Sequence, residues 1–325
     1  MDNFNDDDDD DNEKQSKIQR DSRSFLKKAM FIMAALTVFA LGLGYFHTHQ
    51  PPQLAIDINK MIAVQQTTPA KPVEEVDLEL AAKVDVLDQK VRARKKTGVI
   101  METDEQGLEL TKKLQEATLK LLEHRYGANT RHSKFRVVVD VLYPHSIIKD
   151  PDSESNKGHF TIEMAPVDII PCSVFYFMEI VRTYKGGEFH RNAGHVLQAS
   201  AQSGATAGHK SVPFQEYSPK HPHAKYTTGY AGRPSGPEWY ISIQDNTNNH
   251  GPGTQQKKNP YEADSNFGRI VDGIESGVIA KIHSVPEKGF LDKENCIKIV
   301  KMTIMVNALD QQDQWMEWKM PTSTA

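Results

Sequence analysis

The sequence predicts a mainly β domain, a closed antiparallel barrel capped by two helices, carried behind a transmembrane helix and a helical stalk. Three observations lead there. Residues 29–46 carry no charged side chain, residues 73–121 repeat apolar positions at intervals of three and four, and from residue 135 onward short β-branched and aromatic runs alternate with turn residues. Helix-period spacing interrupts the last pattern twice, which fits a barrel with a helix over each end, closed so that no strand edge is left bare.

At 325 residues, 25% charged and 38% hydrophobic, the chain is long enough for one or two domains. Its net charge of −4 hides a local segregation. An acidic run from Asp6 to Asp11 precedes a basic stretch in which Lys14, Lys17, Arg20, Arg23, Lys27 and Lys28 oppose Asp21, so residues 1–28 read as a solvated cytosolic tail. At about 1.5 Å per helical residue, residues 29–46 nearly span a ~30 Å hydrocarbon core, and the run exceeds the roughly 7–15-residue core of a cleavable signal peptide. It reads as a signal anchor. Lys27 and Lys28 flank it on one side and His47-Thr48-His49-Gln50 on the other, which predicts a single-pass type II membrane protein with its C-terminal domain lumenal. So short an anchor suits the thin membranes of the endoplasmic reticulum or Golgi.

Residues 47–72 form a linker, because Pro51-Pro52 and the Pro-bearing stretch 67–72 disfavour helix. Residues 73–130 form the helical stalk: Val73, Val76, Leu80, Val84, Leu87 and Val91 share one periodic face, and Leu110, Leu114, Ala117 and Leu121 share another beyond Gly98 and Gly107. Helices this short need burial against a partner. A coiled-coil homodimer beside the membrane is one arrangement, and a helix pair packed on its own domain or a mostly solvated stalk is the alternative; fewer than four heptads do not decide between them. Cys172 and Cys296 fall on the lumenal side, where a disulfide is permitted, and spacing leaves a bridge and two buried thiols both open.

Within residues 131–307, strands are expected at 135–143, 158–164, 188–191, 195–199, 238–243, 266–271 and 296–306, with helices at 174–184 and near 273–282. Residues 308–325 form a C-terminal tail in which Trp315 and Trp318 share one possible helical face, to dock on the domain or on another protein, the first being preferred.

The motifs of this region occur in a telling order. Phe160-Thr161-Ile162-Glu163-Met164 is followed by Pro171, Val174 and Phe177, then Gly186-Gly187, then Phe189-His190-Arg191 with Gln198. Gly236-Pro237-Glu238-Trp239-Tyr240-Ile241 and Phe267-Gly268-Arg269-Ile270-Val271-Asp272-Gly273 complete the series. Over residues 136–307 the chain resembles the cyclophilin-type peptidyl-prolyl cis-trans isomerases, whose patterns read P-x-x-V-x-N-F, F-H-R-I-I-P-G-F-x-x-Q-G-G-D, G-S-Q-F-F-I and F-G-x-V-x-x-G. Tyr176 stands where the first pattern has Asn.

The resemblance implies rotation about X-Pro bonds of lumenal proteins, a step opposed by a barrier of about 18–20 kcal/mol and needing neither cofactor nor covalent intermediate. It implies Arg191 and Gln198 as the catalytic pair, the Arg hydrogen-bonding near the prolyl nitrogen and the Gln holding the peptide. The substrate-binding set would be His195, Val196, Leu197, Ala231 and Tyr240, and the partners proline-containing polypeptides. The chain departs from the pattern at the proline pocket. Asn192-Ala193-Gly194-His195 replaces I-I-P-G-F and shortens the span to Gln198 by one residue, the usual His before F-G is replaced near Asp264, and the loop 245–265 has no Trp or Leu and only His250. Losing such lining removes about 1.5–3 kcal/mol per large apolar side chain.

An isomerase of altered or weak activity and a catalytically inactive peptide-binding or scaffold protein of the same fold are therefore both expected readings. A third, a type II membrane glycosyltransferase, would need Asp150-Pro151-Asp152 to hold a metal and a nucleotide sugar, without a doubly wound sheet around it. His190, His195, His209, His221 and His223 lack the spacing of a zinc site, so no metal is expected, and His190 is expected to face away from Arg191 by strand alternation. No basic stripe with interleaved aromatics points to nucleic acid.

Overall fold

The computed structural model describes residues 72–94, 104–127, 135–148, 154–200, 210–232, 236–254, 263–286, 288–307 and 314–319. The tail, the expected anchor at 29–46 and nearly all of the linker lie outside them. Among the described residues no helix is long and apolar enough to cross a membrane.

Among the described residues two long helices come first, α1 (Val73–Arg94) and α2 (Glu105–Tyr126). Glu74 and Glu75 begin α1, and Arg92 and Arg94 end it, which complements the helix dipole. The side chain of Asp104 caps α2 through the N–H of Gly107 (3.0 Å), so Gly107 lies inside the first turn and is not part of a break. The helices run antiparallel: Arg94 reaches Asp104 (Nε–Oδ1 3.0 Å) at one end, and at the other His124 bonds the Val73 carbonyl (2.9 Å) while Arg125 pairs with Asp77 (2.8 Å).

The periodic apolar face serves this chain's own barrel. Val84, Val91, Leu114, Ala117 and Leu121 are buried in one continuous core with the domain that follows. Polar contacts fix the docking. Asp88, 1% exposed, accepts a bidentate pair from Arg92 and a bond from the Tyr176 hydroxyl. Tyr176 thus fastens the domain to α1.

Among the described residues ten strands follow: β1 (Phe135–Leu142), β2 (Lys157–Met164), β3 (Gly187–Asn192), β4 (Val196–Ala199), β5 (Thr227–Tyr230), β6 (Trp239–Ser242), β7 (Asn266–Asp272), β8 (Gly289–Phe290), β9 (Ile297–Asn307) and β10 (Trp315–Glu317). Their hydrogen-bonded order is β10-β9-β1-β2-β7-β5-β6-β4-β3-β8, and β9 also pairs with β3. Eight strands therefore close into an antiparallel barrel, with β10 on the outside of β9 and β8 on the outside of β3. In β1 every second residue is buried, from Phe135 to Val141. In β9, Ile297 and Ile299 point inward, a bulge admits exposed Val300, and Met302 and Ile304 then resume the inward face.

Helix α3 (Pro171–Arg182) packs on β7, β9 and α2; α5 (Val278–His283) packs on β2; and the four-residue α4 (Thr247–His250) lies in the loop between β6 and β7. The interior holds an aromatic cluster. Phe177 stacks on Phe267 with centroids 4.1 Å apart, and Trp239 meets Phe177 and Phe189 edge-on at 5.5 Å, pairs worth about 0.5–1.5 kcal/mol each beyond area burial. Cys172 and Cys296 are both buried and are not bridged to each other. The described part of the tail contains the strand Trp315–Glu317, contrary to the helical expectation, and docks on the domain: Trp315 lies against Arg136, and Trp318 packs on Tyr126 and donates to the Arg125 carbonyl (3.1 Å).

Candidate functional site

Four side chains stand in register across the outer face of the barrel. Phe290 of β8 pairs with Arg191 of β3, Arg191 with Gln198 of β4, and Gln198 with Tyr240 of β6. They face outward because their strand neighbours Leu197, Trp239 and Ile241 fill the interior. Arg191 Nη1 donates to Gln198 Oε1 (3.1 Å), and Gln198 Nε2 donates to Glu238, so the amide is oriented at both ends. The guanidinium lies over the Phe290 ring, 5.1 Å from its centroid, and its buried Nε bonds nothing. Phe290 itself is 72% exposed.

The turn between β3 and β4 is tight. Ala193 N–H donates to the Val196 carbonyl (3.0 Å), and Gly194 adopts φ +82°, a left-handed conformation that favours glycine. A second irregularity lies just before it: Phe189 pairs with Ala199 but Arg191 with Gln198, so β3 has a bulge at His190. The bulge turns His190 toward the site, against the expectation from alternation. Its Nε2 lies 3.7 Å from Glu238 Oε2 and its ring stacks on Phe290.

Tyr240 is 2% exposed. Its ring crosses β5 at Gly229, where a Cβ would sit 2.7 Å from the Tyr240 hydroxyl, so only glycine leaves room. The hydroxyl lies 3.2 Å from Asp264 Oδ2 and 3.3 Å from His223 Nδ1. His223 Nε2 meets the Asp264 carbonyl at 2.9 Å. A carbonyl only accepts, so that nitrogen carries the proton. Burial, partly opposed by Asp264, pushes His223 down to about 4, which keeps the ring neutral and leaves Nδ1 as an acceptor. His250, the last residue of α4, bonds Asp264 through Nδ1, lies 4.9 Å from the Tyr240 ring and stacks beneath His195 at 5.6 Å. Polar groups therefore cover the Tyr240 face.

The sequence-expected residues separate accordingly. Arg191, Gln198 and Tyr240 come together, with Val196 on the same face beside Ser242. Ala231 lies at the rim, its N–H bonded to the Glu238 carbonyl (2.9 Å). His195 sits over His250, away from Tyr240. Leu197 does not line the site; alternation with Gln198 sends it into the barrel core. Glu238, His250, Asp264 and His223 were not expected there. The polar loop 245–265 and the replacement of His near Asp264 were visible, but not that the two residues meet. Of the histidines weighed for a metal, His209 lies outside the described residues, and among the described residues no group of three His, Cys, Asp or Glu is arranged to hold an ion. Asp150-Pro151-Asp152 also lies outside, and the described sheet is a barrel, not a doubly wound one.

No family model and no curated protein matches the sequence. Among solved structures, the chain is similar to a Cryptosporidium parvum cyclophilin type peptidyl-prolyl cis-trans isomerase at 18% identity, over 54% of this chain and 99% of that one, with a TM-score of 0.36.

Proposed function

We propose that the protein is a cyclophilin-type peptidyl-prolyl isomerase of low activity, acting on X-Pro bonds of extended polypeptides. The observation that carries this reading is the Arg191–Gln198 pair, in register, bonded and adjacent to Tyr240. Arg191 supplies a fixed cation with N–H donors to a peptide amide whose resonance is weakened as it twists, and the oriented Gln198 holds the neighbouring backbone. No covalent step and no cofactor is needed. The same reading anchors the domain through residues 29–46 and places it in the lumen of the endoplasmic reticulum or Golgi, on the support of the uncharged run and its Lys27-Lys28 flank.

One observation favours a second reading, a peptide-binding module without catalysis: Tyr240 is 2% exposed beneath His250, so the proline ring has no open floor. Exchange NMR on a panel of X-Pro peptides, with the 325-residue chain in detergent and its Arg191→Ala variant, decides between them. Slow turnover that Arg191→Ala abolishes supports the isomerase. Turnover unchanged by Arg191→Ala excludes it, and no turnover with saturable peptide binding establishes the module.

A further inference from the structure

The loop between β6 and β7 is tied down on the site side of the barrel. Asn246 is fully buried, its N–H bonded to the His223 carbonyl (2.8 Å) and its amide to the His195 carbonyl (2.9 Å). Asp264 N–H returns to the His250 carbonyl (2.9 Å) and the Asp264 carboxylate holds His250 Nδ1, so both backbone and side chain fix the ring. That ring is 6% exposed, sandwiched between His195 and Tyr240, while its Nε2 is buried and bonds nothing. A buried imidazole with an unmet donor or acceptor is a poor packing element for stability alone. Its position against the aromatic floor is that of a flat five-membered ring.

We propose that His250 is a specificity-determining residue that fills the ring site over Tyr240 from within the chain, so that the protein reads extended peptides through Arg191 and Gln198 with little selection for proline. This rests on the peptide-binding reading above. The imidazole and a prolyl ring are alike in size and shape, so the two exclude each other on the Tyr240 face. The backbone contacts at Arg191 and Gln198 remain available, Phe290 lying open beside them. Removing the ring restores the site, and releasing its tether does so in part.

The test compares binding of N-acetyl-Ala-Ala-Pro-Phe-amide and N-acetyl-Ala-Ala-Ala-Phe-amide to the 325-residue chain and to His250→Ala, Asp264→Asn and Arg191→Ala. The wild type is expected to bind the two peptides within about threefold of each other, and His250→Ala to prefer the proline peptide by about tenfold or more, the worth of one buried ring. Asp264→Asn keeps the ring but loosens its hold and gains a smaller preference, so the inference stays falsifiable should His250→Ala fail to fold. A wild type that already prefers proline tenfold overturns the inference and leaves the isomerase reading standing. Peptides that bind with no gain in either variant overturn the inference alone, provided Arg191→Ala weakens both. Absence of binding throughout overturns both.

Discussion

Replacing Glu216 tests how the helical hairpin is joined to the barrel. Its carboxylate is 2% exposed and accepts four hydrogen bonds: from Ser173 N (2.6 Å), Ser173 Oγ (2.8 Å), Cys172 N (3.3 Å) and Gln115 Nε2 of α2 (2.8 Å). Two of those donors are free N–H groups at the start of α3, which has no side-chain cap of its own, so Glu216 is the cap supplied from a distant loop. Glu216→Ala leaves four buried donors behind. At about 1–3 kcal/mol for each that finds no water, less what relief of the buried charge returns, the loss is about 3–5 kcal/mol. For a domain of this size that lowers Tm by about 10 °C. Glu216→Gln keeps the shape and one acceptor oxygen and should lose about half as much.

The pH dependence carries a definite sign. Burial holds the Glu216 carboxyl above its ordinary value despite the four bonds, so the folded state binds that proton more tightly than the unfolded state. The wild type therefore loses this part of its stability as pH rises through the carboxylate range, and the deficit of Glu216→Gln should narrow from about pH 4 to about pH 7. Urea unfolding at both pH values, with amide exchange to show whether α1 and α2 lose protection first, measures all of this. A loss under about 1 kcal/mol for Glu216→Ala, or equal losses for the two variants, would refute the capping argument.

His223 should act in the opposite direction. Its value, depressed to about 4, makes the unfolded state bind the extra proton, so stability is complete above about pH 6.5 and falls toward pH 4 by about 3 kcal/mol; His223→Gln should flatten that limb of a thermal-melt series. The thiol of Cys172 sits at a helix start that would ordinarily activate it, but burial, reinforced by the Glu216 charge, pushes it well up. It should resist thiol reagents in the native protein and react at once in urea, and rapid native labelling at Cys172 in a peptide digest would contradict this placement.

Most of the barrel was legible because its strands obey a period of two and its turns carry Gly and Pro. The exceptions are instructive. β5 is four residues, Thr227 to Tyr230, emerging from a polar Pro- and His-bearing stretch, too short for alternation to register. β8 and β10 exist because neighbouring strands offer open edges, which no local pattern announces. Trp315 and Trp318 are three apart, the spacing of a helix face, yet Arg136 and Tyr126 claim one each. At the site, Arg191, Gln198 and Tyr240 were legible by order and spacing. The contact of His250 with Asp264 closes a fourteen-residue excursion, and the bulge at His190 follows from pairing with β4, so neither is written in local sequence.

The departures around Tyr240 depend on one another. His195, at the end of the tight turn at Gly194, rests on His250; His250 is held by Asp264; and the Tyr240 hydroxyl lies within reach of both Asp264 and His223. In so dry a place each polar group needs the others, and a single reversion toward an apolar pocket leaves an unmatched partner. Tyr240→Phe should therefore destabilise the protein by about 1–2 kcal/mol, because Asp264 Oδ2 loses the hydroxyl that donates to it. Combined with His250→Ala, the two losses should fail to add by about 0.5 kcal/mol or more, since both act on Asp264. Unfolding of the two single variants and the double gives the coupling, and strict additivity would show the network to be a set of independent contacts.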